Sequence, residues 1–268
     1  MTEAVNLVYQ TIDETNADRS ASTRRQLVAG AAATFGGMGL LGAAPDIADA
    51  RHKEDPQTIL NVAATAERVA TIINTIGVNT LSSSDATIAT ARRNTAAAAR
   101  EELIHHDVLV SPSIGGKPAA DTFWIPDAVF ATPAGLLNTL EAGDQIFINA
   151  YLIAVTVFGN RGNGELARIA SEFMAVEAVH RALARQALGK LGNDRVFAKY
   201  SQAEEAPDAP TAGKPGFRRV TTAVTQLEAA GIGIGKQGAT PGKFYGYEGV
   251  QGSTPAVGTL GINTILPV

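Results

Sequence analysis

The sequence predicts an all-α domain in which four long helices pack together and one long connection crosses between the second and third helices. Apolar residues recur at three- and four-residue steps in Ala-rich segments, which is typical of amphipathic helices. The connections between the helices are short, long and short in that order. Because short loops join antiparallel neighbours, a single long middle connection has to cross the bundle. With 268 residues, 45% of them hydrophobic, the chain can bury one sizeable core.

The ends of the first two helices are marked by capping residues. Asp55 and Pro56 supply an N-cap and a proline for the first turn, and Gly77 is predicted to end the first helix. Asp85 is predicted to cap the second helix, which runs until Pro112 prevents its continuation.

The third and fourth helices follow the long connection. Thr132 and Pro133 repeat the combination of cap and proline, so the third helix is predicted to begin there. A tight loop with glycines at both ends separates it from the fourth helix, which is predicted to end near Gly189.

Residues 201–268 differ in composition, because they hold 12 of the 27 glycines. One short helix is predicted over 217–230, and the rest is predicted to be irregular structure wrapped on the bundle, with or without short strands. The three alternating glycines at Gly231, Gly233 and Gly235 lack the flanking strand and helix of a dinucleotide-binding loop, so they are interpreted as a turn. We therefore divide the chain into residues 1–50, a four-helix bundle over 51–200 and a C-terminal extension over 201–268.

Two Glu-x-x-His pairs, one on the second helix and one on the fourth, lie on the predicted inward faces. A carboxylate and an imidazole in an apolar stripe require a partner, since an unpaired buried charge is costly. The first and third helices each add an inward acid. One carboxylate from each of two helices, with Glu-x-x-His from the other two, is the known pattern of two-metal bundles. The candidate metal ligands are Glu67, Glu102, His105, Asp144, Glu177 and His180, with Glu141 as the alternative to Asp144.

The neighbours of these residues have simpler expected roles. Arg68, Arg100 and Arg181 are rotated away from the ligand face and are expected to face outward. His106 is expected to make a surface or interhelix contact. Tyr151, two turns beyond Asp144, is expected to be a core tyrosine, with a hydrogen bond to a ligand as the alternative.

Four segments carry a resemblance to a known family. They are DPQTILNVAATAERV, AAAAREELIHHDVLV, DQIFINAYL and AVEAVHRALAR, one from each helix. Together they resemble the ferritin-like domain family that includes desiccation-related and other exported bacterial proteins. Two positions depart from that pattern: Asp144 stands where the superfamily usually has glutamate, and Ala70 stands where a second acid of the first helix is frequent.

The resemblance implies two iron or manganese ions, bridged by Glu102 and Glu177, with Glu67 and Asp144 each bound to one ion. The expected function is redox chemistry with oxygen or peroxide, of the oxidase, peroxidase or catalase-like kind. The alternative is a non-catalytic stress- or desiccation-associated protein with a vestigial or structural metal site. The sequence identifies no catalytic residue, and a homo-oligomer is compatible with it. A formal charge of −4 gives no basic surface for nucleic acid, and the lack of cysteine excludes disulfides and thiolate ligands.

The first 50 residues resemble a twin-arginine export signal. Arg24 and Arg25 precede an uncharged Ala/Gly-rich run, and small residues at Ala48 and Ala50 provide a cleavage site after Ala50. We therefore expect a periplasmic or extracellular protein without a stable membrane anchor after cleavage.

Overall fold

The computed structural model describes residues 54–193, 197–199 and 213–254, which are mostly helical and contain seven helices and five short strands. The export signal predicted over 1–50 lies outside these residues. One compact unit contains the described residues up to Asn193 together with those from Phe217 onward. Strands β2 (Phe197–Lys199) and β3 (Gly213–Pro215) belong to a second unit and pair in parallel.

Four long helices form most of the larger unit. A capping side chain begins each of them: Asp55, Asp85, Thr132 or Asn163 accepts a hydrogen bond from a backbone N–H of the first turn. The helices up to residue 187 are α1 (Pro56–Thr80), α2 (Ala86–Val110), the single-turn α3 (Asp127–Ala131), α4 (Pro133–Asn160) and α5 (Gly164–Ala187).

Gly77 does not end α1, contrary to the prediction from sequence, because the helix continues to Thr80. A Cβ atom at Gly77 would lie 2.7 Å from Cδ1 of Leu136 on α4. The glycine therefore allows close approach of two helices, and its role there is packing rather than capping.

Each of the four long helices packs against two of the others. Helix α1 packs against α2 and α4, and α5 packs against α4 and α2. The buried core between them is mainly aliphatic, with Ile72, Leu136, Phe147 and Phe173 among its largest members. The inward faces predicted from periodicity are the buried faces, and this places the polar residues of all four helices in one interior.

The long connection and the C-terminal segment share a small sheet. Strand β1 (Thr122–Pro126) lies between β4 (Gly233–Ile234) and β5 (Gly242–Gly246) and is antiparallel to both. Helix α6 (Thr221–Ala229) packs on α1 and α4, and α7 (Tyr247–Gln251) packs on α1. No strand was predicted in the connection, because the partner strands of β1 lie more than 100 residues later in the chain.

Trp124 explains part of the glycine content of this segment. Its Nε1 donates a hydrogen bond to the carbonyl of Thr240 at 2.9 Å. A Cβ atom at Gly238 would lie 2.6 Å from Cδ1 of the indole ring. The glycine-rich stretch thus lies closely on the tryptophan of the crossover, at a distance that a side chain would prevent.

Among the described residues, only α4 is long and apolar enough to cross a membrane by length and composition, with a mean hydropathy of 1.3. Half of its most apolar stretch is buried inside the protein. Core helices of soluble proteins meet the same criterion, and α4 also carries the buried carboxylates Glu141 and Asp144.

Candidate metal centre

The structure brings all six sequence-predicted ligands together between the four long helices. Each of their side chains is buried, and Glu67, Glu102 and Glu177 have no exposed surface. They come from α1 (Glu67), α2 (Glu102, His105), α4 (Asp144) and α5 (Glu177, His180). Helical periodicity accounts for the arrangement, because Glu and His three residues apart lie on one helix face.

The cluster consists of two groups of four residues that share two members. The first group is Glu67, Glu102, His105 and Glu177, and the second is Glu102, Asp144, Glu177 and His180. Within each group the candidate ligand atoms all lie within 4.8 Å of one another. The shared residues Glu102 and Glu177 each have two carboxylate oxygens and can contribute to both groups. This buried cluster could hold a metal ion, and its two-part form is compatible with a two-metal site.

Most of the atoms in the cluster that could bind a metal ion have no hydrogen-bond partner. Buried polar atoms are nearly always hydrogen-bonded, so a concentration of exceptions needs an explanation. The unpartnered atoms are Oε2 of Glu67, Oε2 of Glu102, Nδ1 of His105, Oδ2 of Asp144, both carboxylate oxygens of Glu177 and Nδ1 of His180. Carboxylate oxygens and imidazole nitrogens are metal-ligand atoms, and two divalent cations would balance the four carboxylates. The residues therefore fit a pair of metal ions.

His105 is held between three carboxylates and an aromatic ring. Its Nδ1 lies 3.3 Å from Oε1 of Glu177, 3.4 Å from Oε2 of Glu67 and 3.5 Å from Oε2 of Glu102. The ring of Phe173 stacks on the imidazole with the ring centroids 4.0 Å apart. This stacking restricts the plane of the imidazole ring beside the cluster.

Tyr151 donates a hydrogen bond from its hydroxyl to Oε1 of Glu67. The tyrosine is buried and also packs edge-on against Phe173. It is therefore a core tyrosine that also contacts a candidate ligand, so both of the roles considered from the sequence apply. Its hydrogen bond leaves Oε2 as the Glu67 oxygen that faces His105.

His180 has different partners at its two ring nitrogens. Nδ1 lies 3.2 Å from Oε1 of Glu102, while Nε2 lies 2.6 Å from Oε2 of Glu101. Glu101 was not among the sequence-predicted site residues. It precedes a ligand on α2 and is 46% exposed, so helical periodicity places it off the ligand face. Only the crossing of α5 next to α2 brings it to the histidine.

Burial and mutual repulsion favour protonation of the acids. Burial raises the pKa of Glu67 to about 7, although His105 opposes the change. Burial and the nearby Glu177 raise the pKa of Asp144 well above its ordinary value. Without metal, the cluster therefore retains protons that a bound cation would displace.

Ion pairs shift the pKa values of the two imidazoles and of Glu101. Burial lowers the pKa of His105, but Glu67, Glu102 and Glu177 outweigh it and raise the value well above the ordinary one. Burial also opposes the charge on His180, but its carboxylate neighbours, Glu101 first among them, raise its pKa. The same hydrogen bond from His180 lowers the pKa of Glu101. Glu101 is thus the carboxylate best suited to remain ionised beside the imidazole.

Glu141, the alternative to Asp144, lies outside both groups. Its carboxylate pairs with Nη1 of Arg185 and with Nζ of Lys190, the latter at 2.6 Å. Asp144 instead contributes to the second group and has an unpartnered Oδ2. The two acids of α4 therefore have different environments: one is ion-paired and the other faces the cluster.

The expectation that Arg181 faces outward was wrong. This residue is 2% exposed, and its charge lowers the pKa of Asp144. A rotation of about 100° from a ligand does not lead to solvent on a helix that is covered on more than one side.

His106 makes the interhelix contact that was considered for it. It is buried, its Nε2 accepts a hydrogen bond from Nε of Arg68 at 3.0 Å, and its Nδ1 lies 2.9 Å from the hydroxyl of Tyr247. Arg68 also pairs with Asp121 and lies over the ring of Tyr247. This network joins α1 and α2 to the C-terminal helix α7, directly behind Glu67 and His105.

Comparison with known proteins identifies no family for this chain. No protein-family model matches it, and searches of curated proteins and of solved structures found no match. The functional argument therefore depends on the buried cluster itself.

Proposed function

We propose that the chain is an exported ferritin-like protein that holds two iron or manganese ions between its four long helices. The observation that supports the proposal is the pair of four-residue groups sharing Glu102 and Glu177. In this proposal Glu102 and Glu177 would contribute to both ions, Glu67 and His105 would complete the first position, and Asp144 and His180 would complete the second.

The ligand chemistry favours iron or manganese. Four carboxylates and two imidazoles form a hard, oxygen-rich set, whereas copper sites usually include sulfur or more nitrogen. The chain has no cysteine, and no methionine is among the candidate ligands. Aspartate at position 144 is one methylene shorter than the usual glutamate. Its carboxylate would therefore extend less far toward the second ion than a glutamate would.

The proposed activity is oxidation or disproportionation with dioxygen or peroxide as the reactant. A pair of such ions supplies one-electron changes at two neighbouring positions. The protein's own residues hold and orient the donors: Glu101 accepts from Nε2 of His180 and keeps Nδ1 toward the cluster. Tyr151 and Phe173 fix Glu67 and His105 from the other side.

A non-catalytic role is the second candidate, and the complete burial of three candidate ligands favours it. Because Glu67, Glu102 and Glu177 have no exposed surface, their charges would oppose folding unless they are neutralised. A metal that neutralises them would stabilise the packing of all four helices. Such a protein would be a scaffold associated with stress or desiccation, and its metal would be structural.

The proposal includes export by the twin-arginine route, which carries folded proteins and would allow metal loading before export. It is supported only by Arg24, Arg25 and the following apolar run of the sequence. Changing both arginines to lysine should leave the precursor in the cytoplasm, and normal export of that variant would contradict it.

Metal analysis combined with a turnover assay separates the two functions. The wild type, purified without chelator and reconstituted with Fe²⁺ or Mn²⁺, should bind metal, and Glu102→Gln should bind much less. Glu172→Gln, on the exposed face of α5, is the control. Consumption of dioxygen or hydrogen peroxide by the loaded wild type would support the enzyme, and a rise in melting temperature without turnover would support the scaffold.

A further inference from the structure

A small cavity adjoins one end of the metal cluster. Its volume is about 20 Å³, and Asp144 and His180 are among the residues that line it, whereas Glu67 and His105 are not. The cavity lies between all four long helices. The other lining residues that bear on the argument are Asn74, Thr95, Ala98, Leu140 and Leu183.

The opposite end of the cluster is closed by aromatic side chains. Phe173 stacks on His105, and Tyr151 lies edge-on to Phe173 while donating to Glu67. Both aromatic residues are less than 5% exposed. The two groups therefore differ in their surroundings: among the residues that the structure describes, this cavity borders the second group and not the first.

The size of the cavity limits what can enter. One water needs about 10–15 Å³ measured in this way, so the space suits a molecule of one or two non-hydrogen atoms. An organic substrate would not fit without movement of the helices. The cavity is therefore suited to water, dioxygen or hydrogen peroxide.

Asn74 places a polar amide in a cavity whose lining is otherwise mostly apolar, and it favours occupants that can donate a hydrogen bond. Its Nδ2 lies 3.1 Å from the carbonyl of Ala70 and 3.5 Å from Oε1 of Glu102, which uses its donor group. Its Oδ1 is buried without a hydrogen-bond partner, and the residue is 2% exposed. An acceptor of this kind is satisfied by a ligand that carries a hydrogen atom. Water and hydrogen peroxide can donate to it, whereas dioxygen cannot, so of the two oxidants this acceptor favours peroxide.

We propose that this cavity is the binding site for hydrogen peroxide, which reaches the ion held by Asp144 and His180 and donates a hydrogen bond to Asn74. The inference rests on the proposed two-metal function and adds the reactant, its binding place and a residue that favours it over dioxygen. Ala98 and Leu183 line the cavity, so their size sets the space that is open to a small molecule.

Access is tested by the association rate of azide, a small anion that does not turn over, with the iron-loaded protein in stopped-flow absorbance. Ala98→Val should slow azide binding roughly 5- to 100-fold, as the added methyl groups crowd the cavity. Leu183→Ala should accelerate it. The matched controls are Ala97→Val on α2 and Leu166→Ala on α5, neither of which lines the cavity, and both should bind azide like the wild type.

The preference for peroxide is tested by the oxidation of bound Fe²⁺ in Asn74→Leu. Because Asn74 also contacts Glu102, the readout is the difference between the two oxidants: removal of the acceptor should weaken the apparent affinity for hydrogen peroxide about 3- to 10-fold more than that for dioxygen. An equal change with both oxidants, or no change with either, would overturn the selective role of Asn74.

The outcomes distinguish this inference from the function on which it rests. If the wild type holds no metal after reconstitution, the proposed function fails and the inference fails with it. If metal is held but azide binds equally fast to wild type, Ala98→Val and Leu183→Ala, only the inference fails. If Ala98→Val does not fold, Leu183→Ala decides: faster azide binding supports the cavity, and an unchanged rate overturns it.

Discussion

The carboxylate of Glu101 lies 2.6 Å from Nε2 of His180, on the side of the imidazole opposite to the nitrogen that faces Glu102. With a cation bound, an acceptor at this position would keep the proton on Nε2 and leave the lone pair of Nδ1 toward the cluster. The residue that precedes one candidate ligand on α2 thus orients another candidate ligand on α5.

Glu101→Gln should therefore weaken metal binding without unfolding the protein. Loss of a hydrogen-bond partner behind a ligating histidine typically costs about 10–100-fold in affinity. Competition with a chelator of known affinity measures the effect, and Glu172→Gln on the exposed face of α5 is the control. An unchanged metal affinity in Glu101→Gln would show that His180 needs no such support.

The two acids of α4 should respond differently to substitution. Asp144→Ala should reduce metal content, because Asp144 belongs to the second group. Glu141→Ala should leave metal content intact but cost about 3 kcal/mol of unfolding free energy, since it leaves the buried Arg185 without one of its partners. Urea unfolding and elemental analysis of both variants test this. A greater loss of metal from Glu141→Ala would move the site one turn toward the start of α4.

His180 and His106 should also respond differently to substitution. His180→Ala should lower metal affinity about 10–100-fold with little loss of helical circular dichroism. His106→Ala should retain metal but lower the unfolding free energy by about 1–3 kcal/mol, because Arg68 and Tyr247 lose their common partner. Equal and small effects of both substitutions on metal affinity would argue against a metal centre at His180.

The metal-free protein should lose stability as the pH rises. Burial raises the pKa of Glu67 from 4.5 to about 7, so the folded state binds this proton more tightly than the unfolded chain does. Its contribution to stability is complete below pH 4.5 and is lost as the pH rises through about 7.

Metal affinity should change in the opposite direction, because the cation displaces the same proton. Urea unfolding with chelator, followed between about pH 4.5 and 7.5, should show decreasing stability that is less pronounced in Glu67→Gln. Metal titrations over the same range should show increasing affinity. A metal-free stability that rises across this range would contradict the protonation of the buried acids.

The positions of the four long helices and of the six candidate ligands follow from local sequence features. Asp55, Asp85, Thr132 and Asn163 form caps within their own first turns, and Glu-x-x-His spacing is a property of a single helix. Such features can be recognised without knowledge of tertiary contacts, which is why the inward stripes correspond to the buried faces.

The features that the sequence did not reveal depend on contacts between distant residues. Gly77 resembled a helix end, but its role is set by Leu136 on another helix. Strand β1 needs partners from residues 233–246, and the short segment TFWIP alone has no distinctive pattern. Glu101 and Arg181 lie off the ligand face of their own helices, and only the packing of α5 against α2 and α4 gives them their environments.

The central claim is that two metal ions lie side by side in the cluster, and anomalous X-ray diffraction from crystals of iron- or manganese-loaded protein tests it most directly. We expect two anomalous peaks about 3.5–4 Å apart, one beside Glu67 and His105 and the other beside Asp144 and His180, with Glu102 and Glu177 between them. Elemental analysis of the same protein should give two ions per chain. A single peak, or no anomalous density in the cluster after reconstitution, would contradict the two-metal centre.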